Sequence, residues 1–184
     1  MHRGTLIWKE IPQCMAEASG RGEQNWIMSV LSSFNKMSQT DQEKYLQLHN
    51  IFNNIQALHP EKINGQNELK LMMNSIFGVD SGKKIKEILN IFETNFFSDN
   101  NKDFLGIQFS RFNHSCFPNA DWFSKPNNKE IEIRAMSGIK EADEISIKYF
   151  ESYISMTCKK SRQECLMLTQ NFICSCDICN KSMM

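Results

Sequence analysis

The hydrophobic pattern of the chain changes character near Asn100. Before it, apolar residues recur at steps of three and four, the spacing of one buried helical face. After it, apolar and polar residues alternate, as in Ile131–Ala135 and Ile145–Tyr149, which predicts strands. The pattern therefore predicts an α+β protein with a mainly helical first part and a β-rich second part.

Four helices are predicted before Asn100, and a fifth near the C-terminus. Asn25 is the predicted N-cap of the first, and Thr40 forms a capping box with Glu43 at the start of the second. The apolar stripes and caps place the five helices at Trp26–Met37, Thr40–Leu58, Leu69–Phe77, Ile85–Phe96 and Ser152–Asn171.

Strands are predicted on both sides of this helical region. Thr5–Cys14 forms a strand and a turn that Pro12 interrupts. In the second part, Phe104–Phe109 and Ala120–Phe123 are predicted to be strands in addition to the two alternating stretches. The residues from Phe172 to Asn180 are predicted to be a cysteine-rich loop.

Composition narrows the class of protein. The chain has 184 residues, 41% of them hydrophobic, which suits one domain with a real core. Its 21 basic and 21 acidic residues balance, so we expect no direct nucleic-acid binding. The sequence contains no apolar run of bilayer length and no N-terminal signal-peptide pattern, so we expect no membrane association and a reducing nuclear or cytoplasmic setting.

The C-terminal cysteines are predicted to bind a metal ion. Cys174, Cys176 and Cys179 place three thiols within six residues, and in a reducing compartment such clusters bind metal more often than they form disulfides. Tetrahedral zinc needs a fourth ligand. The candidates are Cys14, Cys116, Cys158, Cys165 or a histidine.

A polar stretch, Arg111–Asn119, is the second candidate site. It concentrates two amides, an imidazole, a hydroxyl and a thiol between apolar neighbours. A cysteine–histidine nucleophile built from His114 and Cys116 is the rival interpretation, since residues two apart in a strand share a face. The sequence offers no clearly placed third group to orient that imidazole, which counts against it.

Four stretches together resemble the SET-domain protein lysine methyltransferases, in particular the SET-and-MYND group. They span nearly the whole chain and leave the helical middle as a variable insert. These stretches are Gly4-Thr5-Leu6-Ile7-x-x-Glu10-x-Pro12, Asn113-His114-Ser115-Cys116-x-Pro118-Asn119, Ile139–Tyr149 and Phe172-x-Cys174-x-Cys176-x-x-Cys179.

The resemblance implies roles for single residues. Tyr149 falls on the catalytic tyrosine, and Cys116 on the fourth ligand of one structural zinc ion. The residues implied to contact the cofactor, S-adenosylmethionine, are Asn95, Asn113, His114, Tyr149 and Phe172. The resemblance also implies small β-sheets and a pseudoknot, in which the segment with Asn113 lies beside a later strand.

The whole chain, 1–184, is therefore predicted to be one SET-like domain. Its parts are an N-terminal strand remnant (1–14), a helical insert (15–100), the core motifs (101–151) and a post-SET helix with its cysteine loop (152–184).

The chain also departs from the family pattern. It begins after the Gly-x-Gly hairpin of family members and contains no MYND finger between Pro12 and Asn25. Ala142 replaces the usual glycine of the second motif, and Gln170 stands where relatives tend to carry a second channel tyrosine.

The implied function is S-adenosylmethionine-dependent methylation of a lysine in a histone or non-histone protein, impaired by the missing hairpin. The alternative is a catalytically inactive SET-like module that binds zinc and a protein partner.

Overall fold

The computed structural model describes residues 1–50, 82–125, 130–150 and 157–180. The chain divides into two compact units, one of Met1–Ile11 with Gln108–Met184 and one of Pro12–Ile107. Strands and helices occur in both, which confirms the predicted α+β class. The described strands and helices are, in chain order, β1 (Leu6–Glu10), β2 (Cys14–Glu17), α1 (Gln24–Lys36), α2 (Gln39–Leu46), α3 (Gly82–Asn95), β3 (Phe97–Asp99), β4 (Lys102–Leu105), β5 (Asn113–His114), β6 (Ala120–Lys125), β7 (Glu130–Ala135), β8 (Ser146–Ile147), α4 (Lys159–Gln170) and α5 (Asp177–Asn180).

The unit 12–107 is built on the helical stripes that the sequence predicts. The apolar faces of α1 and α3 are buried against each other and the sheet. Trp26 meets Phe92 edge to face with ring centroids 5.3 Å apart. The Tyr45 hydroxyl of α2 donates to the Ile88 carbonyl of α3 at 2.8 Å, so even its polar atom is satisfied inside the core.

The two predicted helix caps were each wrong by two residues. Glu23, not Asn25, is the N-cap of α1, and Asn25 lies inside the helix. Ser38, not Thr40, is the N-cap of α2: its hydroxyl accepts from the Asp41 amide at 3.2 Å and donates to the Asp41 carboxylate at 2.9 Å. Serine competes successfully for the cap because its short side chain reaches the third amide of the helix.

Other helix predictions meet the structure only in part. The second predicted helix ends, as α2, at Leu46, and its continuation beyond residue 50 lies outside the described residues. The same holds for the predicted helix Leu69–Phe77 and for the start of the predicted helix Ser152–Asn171. From Lys159 to Gln170 that last helix is confirmed as α4.

A buried carboxylate ties α1 to the sheet of this unit, in which β4 lies between β2 and β3. Asp103 has a fully buried side chain. Its carboxylate accepts from Arg21 at 2.9 and 2.6 Å, from Ser98 at 2.6 Å and from Trp26 at 3.0 Å. Burial alone would raise the pKa of Asp103, but these hydrogen bonds and the Arg21 charge outweigh it and lower the pKa.

We expect Asp103→Asn to lower the free energy of unfolding by about 3 kcal/mol, because it removes a buried, hydrogen-bonded charge and leaves its donors without an anion. The lowered pKa means that this stabilisation is present above pH 3.8, the usual pKa of such a carboxyl, and is lost as the pH falls through the lower folded value. Urea unfolding between pH 7 and pH 2 measures both effects.

Glu17→Gln is the matched control. Glu17 pairs with Lys102 at 3.8 Å on the same sheet, but both side chains are at least half exposed. Its loss should change stability by less than about 1 kcal/mol. Equal effects of the two substitutions would contradict the role given to Asp103.

The other unit contains the sheet β1–β7–β6, which is antiparallel throughout. Ile133 of β7 lies opposite Trp8 of β1 and Trp122 of β6. Ile131 and Ile133 are buried, as their alternation predicts, and the predicted strands at 120–123 and 131–135 are confirmed as β6 and β7.

A separate two-stranded sheet pairs β5 with β8 in parallel. Asn113 lies opposite Ser146 and His114 opposite Ile147, and the Ser115 amide donates to the Ile147 carbonyl at 3.0 Å. The segment that begins with Asn113 thus lies beside a later strand, as the resemblance implies. The predicted strand Ile145–Tyr149 is shorter than expected, since only Ser146 and Ile147 pair.

The predicted strand Phe104–Phe109 is also shorter, because β4 ends at Leu105. A single 3-10 turn, Phe109–Arg111, follows it. The Glu10 carboxylate accepts from the amides of Gln108 and Phe109 at 3.1 and 2.8 Å, which replaces ladder hydrogen bonds there. None of the helices in the described ranges combines the length and apolarity that crossing a bilayer would need.

Candidate functional site

Four cysteines of one unit converge on a single point. Cys116 follows β5, Cys174 and Cys176 follow α4, and Cys179 lies in α5. Their Sγ atoms all lie within 4.8 Å of one another. The turn that starts α5 produces part of this arrangement, because the Cys179 amide donates to the Cys176 carbonyl at 2.8 Å.

The sulfur distances suit a tetrahedral metal ion. Cys116 Sγ lies 3.7 Å from Cys174 Sγ and 3.6 Å from Cys179 Sγ. Zn–S bonds of about 2.3 Å in a tetrahedron would put sulfurs about 3.8 Å apart. These distances are far longer than the S–S bond of about 2.05 Å in a disulfide. The donor set therefore fits zinc, and four protein ligands would leave no open position for catalysis.

The thiols would have to release their protons in order to bind a metal ion. Burial raises the pKa of Cys116 and Cys174. Burial acts in the same sense on Cys176, but backbone N–H groups of Cys179 and Cys116 outweigh it and lower its pKa. A dication would supply the charge that makes all four thiolates stable in a buried cluster.

Helix α4 holds the cysteine loop with two side chains that sequence reasoning missed. Gln163 donates to the Cys174 carbonyl at 2.9 Å. Arg162, buried apart from 7% of its surface, places Nη2 3.8 Å from Cys179 Sγ and donates from Nη1 to the Thr157 carbonyl. The available signal was an arginine four residues before Leu166, on the buried face of α4.

The other candidate cysteines are not among the converging ligands of the described residues. Cys158 is exposed, with its thiol 3.4 Å from the Ser161 hydroxyl. Neither Cys158 nor Cys165 belongs to the group of converging ligands in the described residues. Cys14 lies in the other unit, where its thiol donates to the Val30 carbonyl and burial raises its pKa to about 12.

The rival cysteine–histidine nucleophile also fits poorly. His114 Nε2 does lie 3.4 Å from Cys116 Sγ. However, Cys116 is buried against two further sulfurs, and burial raises its pKa, whereas a nucleophilic cysteine needs access and a lowered pKa.

We expect Cys116→Ser to lose the metal, because a hydroxyl is a poor replacement for a thiolate on zinc. Zinc content after purification should fall well below one ion per chain. The C-terminal segment after Phe172 should also be cleaved more readily in limited proteolysis.

Cys158→Ser and Cys165→Ser are the controls, and both should keep full zinc. Full zinc in Cys116→Ser, with loss in either control, would show that the fourth ligand was assigned to the wrong cysteine.

An aromatic cluster adjoins the sulfurs. The His114 ring has its centroid 4.9 Å from that of Phe150, 5.3 Å from that of Tyr149 and 6.0 Å from that of Phe172. Tyr149 and Phe172 meet edge to face at 6.4 Å. The structure therefore brings together three residues that the resemblance assigns to the cofactor, and adds Phe150, which it did not predict.

Both nitrogens of His114 have partners. The Tyr149 amide donates to Nδ1 at 3.2 Å, and Nε2 faces the Cys116 sulfur. Burial lowers the pKa of His114 to about 4, so the ring is neutral at physiological pH.

Tyr149 forms hydrogen bonds from both its backbone and its side chain to the segment before Ser115. Besides its amide bond to His114, its hydroxyl donates to the Phe112 carbonyl at 2.5 Å. Burial, with the Glu144 charge, raises the pKa of Tyr149 to about 12, so the hydroxyl keeps its proton at neutral pH. Tyr149 can therefore orient a partner but is a poor general base.

Two asparagines join the loop before β8 to the polar stretch. Asn113 donates to the Glu144 carboxylate at 2.6 Å. Asn119 donates to the Glu144 carbonyl at 2.8 Å and accepts from the Ser146 amide at 3.0 Å. The side chain of Asn113, a predicted cofactor contact, thus has one of its two N–H groups engaged by Glu144.

Three further residues of the earlier expectations are Asn95, Gln170 and Ala142. Asn95, at the end of α3 in the other unit, is buried and donates to the His49 and Ile91 carbonyls at 2.6 and 2.7 Å. Gln170 is the last residue of α4. Ala142 adopts a φ of 67°, the left-handed region in which glycine is favoured.

We expect Ala142→Gly to raise the free energy of unfolding by about 0.5–1 kcal/mol, because it relieves the left-handed strain, less the extra entropy of glycine in the unfolded chain. Thermal unfolding measures the gain. Ala18→Gly is the control: Ala18 is not among the positive-φ residues, so glycine there should slightly destabilise. A loss of stability in Ala142→Gly would contradict the strain argument.

Sequence comparison relates the chain to known proteins. The sequence model of the SET domain matches residues 1–150. Protein-lysine N-trimethyltransferase SMYD5 of Homo sapiens is 36% identical over 67 residues, 36% of this chain and 16% of that protein. SMYD5 of Danio rerio is 28% identical over 129 residues, 65% of this chain and 31% of that protein.

A SET and MYND domain-containing protein of Dictyostelium discoideum is 33% identical over 73 residues, 40% of this chain and 13% of that protein. The matches therefore span less than a third of the length of each of these three relatives.

Proposed function

Because the chain belongs to the SET-domain family, we propose that it methylates a lysine side chain of a protein, with S-adenosylmethionine as methyl donor and one structural zinc ion. The observation that supports this most directly is the placement of Tyr149 beside the sulfur cluster. Its hydroxyl donates to the Phe112 carbonyl, and its backbone amide donates to the His114 imidazole. A tyrosine fixed in this way suits the orientation of a reacting amine.

The chemistry of the residues present fits the methyl donor. Bound S-adenosylmethionine would supply an activated methyl group on a sulfonium cation. The half-buried rings of Tyr149 and Phe172 offer π faces, which attract cations. We propose that these rings, with Asn113 and His114, hold the cofactor, while the contact expected of Asn95 stays a prediction.

Tyr149 would act on the incoming lysine as a hydrogen-bond acceptor. Its hydroxyl proton is donated to Phe112, so the oxygen can meet a neutral amine only through a lone pair. Methyl transfer needs the amine to be neutral, and an apolar channel favours that form by desolvation. The remaining task is alignment of amine and methyl group, which an oriented oxygen and ring walls can provide.

Zinc would have a structural role in this proposal. Cys116, Cys174, Cys176 and Cys179 would bind it and hold the loop that carries Phe172 against Tyr149. The partner would be a histone or non-histone protein, in the nucleus or cytoplasm, where thiols stay reduced.

We expect Tyr149→Phe to reduce methyl transfer by at least about 100-fold, or to change the number of methyl groups added, because the amine loses its acceptor. S-adenosylmethionine binding should stay within about threefold, since the ring is kept. Labelled-cofactor titration and mass spectrometry of a methylated substrate pool measure the two effects.

Tyr45→Phe is the matched control, because it also removes a hydroxyl that donates to a backbone carbonyl, but in the other unit. It should cost stability only. Failure of the native chain to bind the cofactor at millimolar concentration would refute the enzymatic proposal.

The alternative, an inactive zinc-binding interaction module, is favoured by one feature. Leu168 and Ile173 expose 84% and 63% of their surfaces near the cysteine loop, and such apolar exposure suits a protein partner. The same cofactor titration separates the two functions, since this module would keep zinc without binding the methyl donor.

A further inference from the structure

We propose that His114 is a positioning residue that links the metal centre to Tyr149. Its Nε2–H donates to the Cys116 thiolate, while its Nδ1 accepts from the Tyr149 backbone amide. The link rests on the proposed metal centre and on the proposed role of Tyr149. It would make the structural metal part of the control of the catalytic side chain.

The partners of His114 determine which nitrogen carries the proton. A backbone amide can only donate, so Nδ1, 3.2 Å from the Tyr149 nitrogen, must be the unprotonated acceptor. A neutral imidazole then carries its proton on Nε2. That nitrogen lies 3.4 Å from Cys116 Sγ, a normal distance for donation to sulfur. Donation to a metal-bound thiolate would be charge-assisted and therefore stronger than donation to a thiol.

The position of His114 in the fold lets it reach both partners. Its backbone is fixed opposite Ile147 in the β5–β8 pair, two residues before Cys116 and opposite a point two residues before Tyr149. Residues two apart in extended chain share a face, so Cys116 and Tyr149 can approach the same ring. The imidazole ring is rigid, so a shift of the Cys116 sulfur that moves Nε2 also moves Nδ1, the acceptor of the Tyr149 amide.

The surroundings of His114 strengthen both hydrogen bonds. The rings of Phe150 and Phe172 pack beside it, so the imidazole is partly shielded from water. Hydrogen bonds in such a setting are stronger, and their loss is more costly, than at an exposed site. Outer donors to metal ligands typically change metal affinity by 10–100-fold when removed.

Two amide substitutions separate the two bonds of the imidazole. In His114→Gln the side-chain NH2 can take the place of Nε2 and still donate to Cys116. In His114→Asn the shorter side-chain oxygen can take the place of Nδ1 and still accept from Tyr149. His114→Phe keeps a ring but removes both bonds, and the exposed His2→Gln is the control.

The readouts are zinc affinity of the full chain by chelator competition and hydrogen exchange of the Tyr149 amide by NMR. We expect His114→Asn to lose about tenfold or more in zinc affinity and to keep the Tyr149 protection. We expect His114→Gln to keep zinc affinity within about threefold and to exchange the Tyr149 amide about tenfold faster. His114→Phe should lose both, and His2→Gln neither.

Nitrogen NMR of the zinc-loaded native chain supplies a direct signature. Nε2 should be protonated and Nδ1 unprotonated, and chelation of zinc should shift the Nε2–H resonance and loosen the Tyr149 amide. Protonation on Nδ1 would overturn the proposal. So would equal changes of both readouts in the Gln and Asn variants, which would indicate a packing role only. Neither measurement depends on methyl transfer, so the outcomes can be interpreted even for a chain without methyltransferase activity.

Discussion

The two-residue parallel pair of β5 and β8 is the contact on which the candidate site depends. It sets His114 opposite Ile147, so the residues two positions further on, Cys116 and Tyr149, emerge side by side. One of them enters the sulfur cluster and the other the aromatic cluster. So short a ladder contributes only about 1 kcal/mol for each hydrogen bond. The Asn119 side chain therefore also helps to hold β8 in register, through its hydrogen bonds with the Glu144 carbonyl and the Ser146 amide.

Metal binding would be the larger source of order around the cysteines. Among the described residues of that cluster, Leu166 is the only large apolar side chain that is fully buried, which gives about 1.5–3 kcal/mol. A structural zinc ion gives apparent free energies of about 10–16 kcal/mol in small zinc-binding peptides. The aromatic walls near Tyr149 would thus depend on the metal more than on a core, whereas unit 12–107 has a large apolar core of its own.

The sequence predicted what local spacing determines. Alternation located β6 and β7, helical stripes located α1, α3 and α4, and the spacing of Cys174, Cys176 and Cys179 predicted a cluster that the structure assembles. That Cys116 joins it came from the family motif, because the partners are 58 residues apart and no local rule relates them. The contact of His114 with the Tyr149 amide, across 35 residues, was not predictable for the same reason. This contact also shortens β8, because the Tyr149 amide donates to the His114 side chain and not to the backbone of a neighbouring strand.

Arg162 gives an independent reason to regard the sulfur cluster as anionic. Its guanidinium is buried, no carboxylate of the described residues pairs with it, and its Nε has no hydrogen-bond partner there. A buried cation next to neutral thiols would be an uncompensated charge, which is strongly destabilising. Four thiolates around a dication carry a net charge of about −2, and Arg162 would offset half of it. Asp103 solves the opposite problem in the other unit, where Arg21 compensates a buried anion. The buried arginine is therefore better explained by a metal-bound tetrathiolate than by four protonated cysteines.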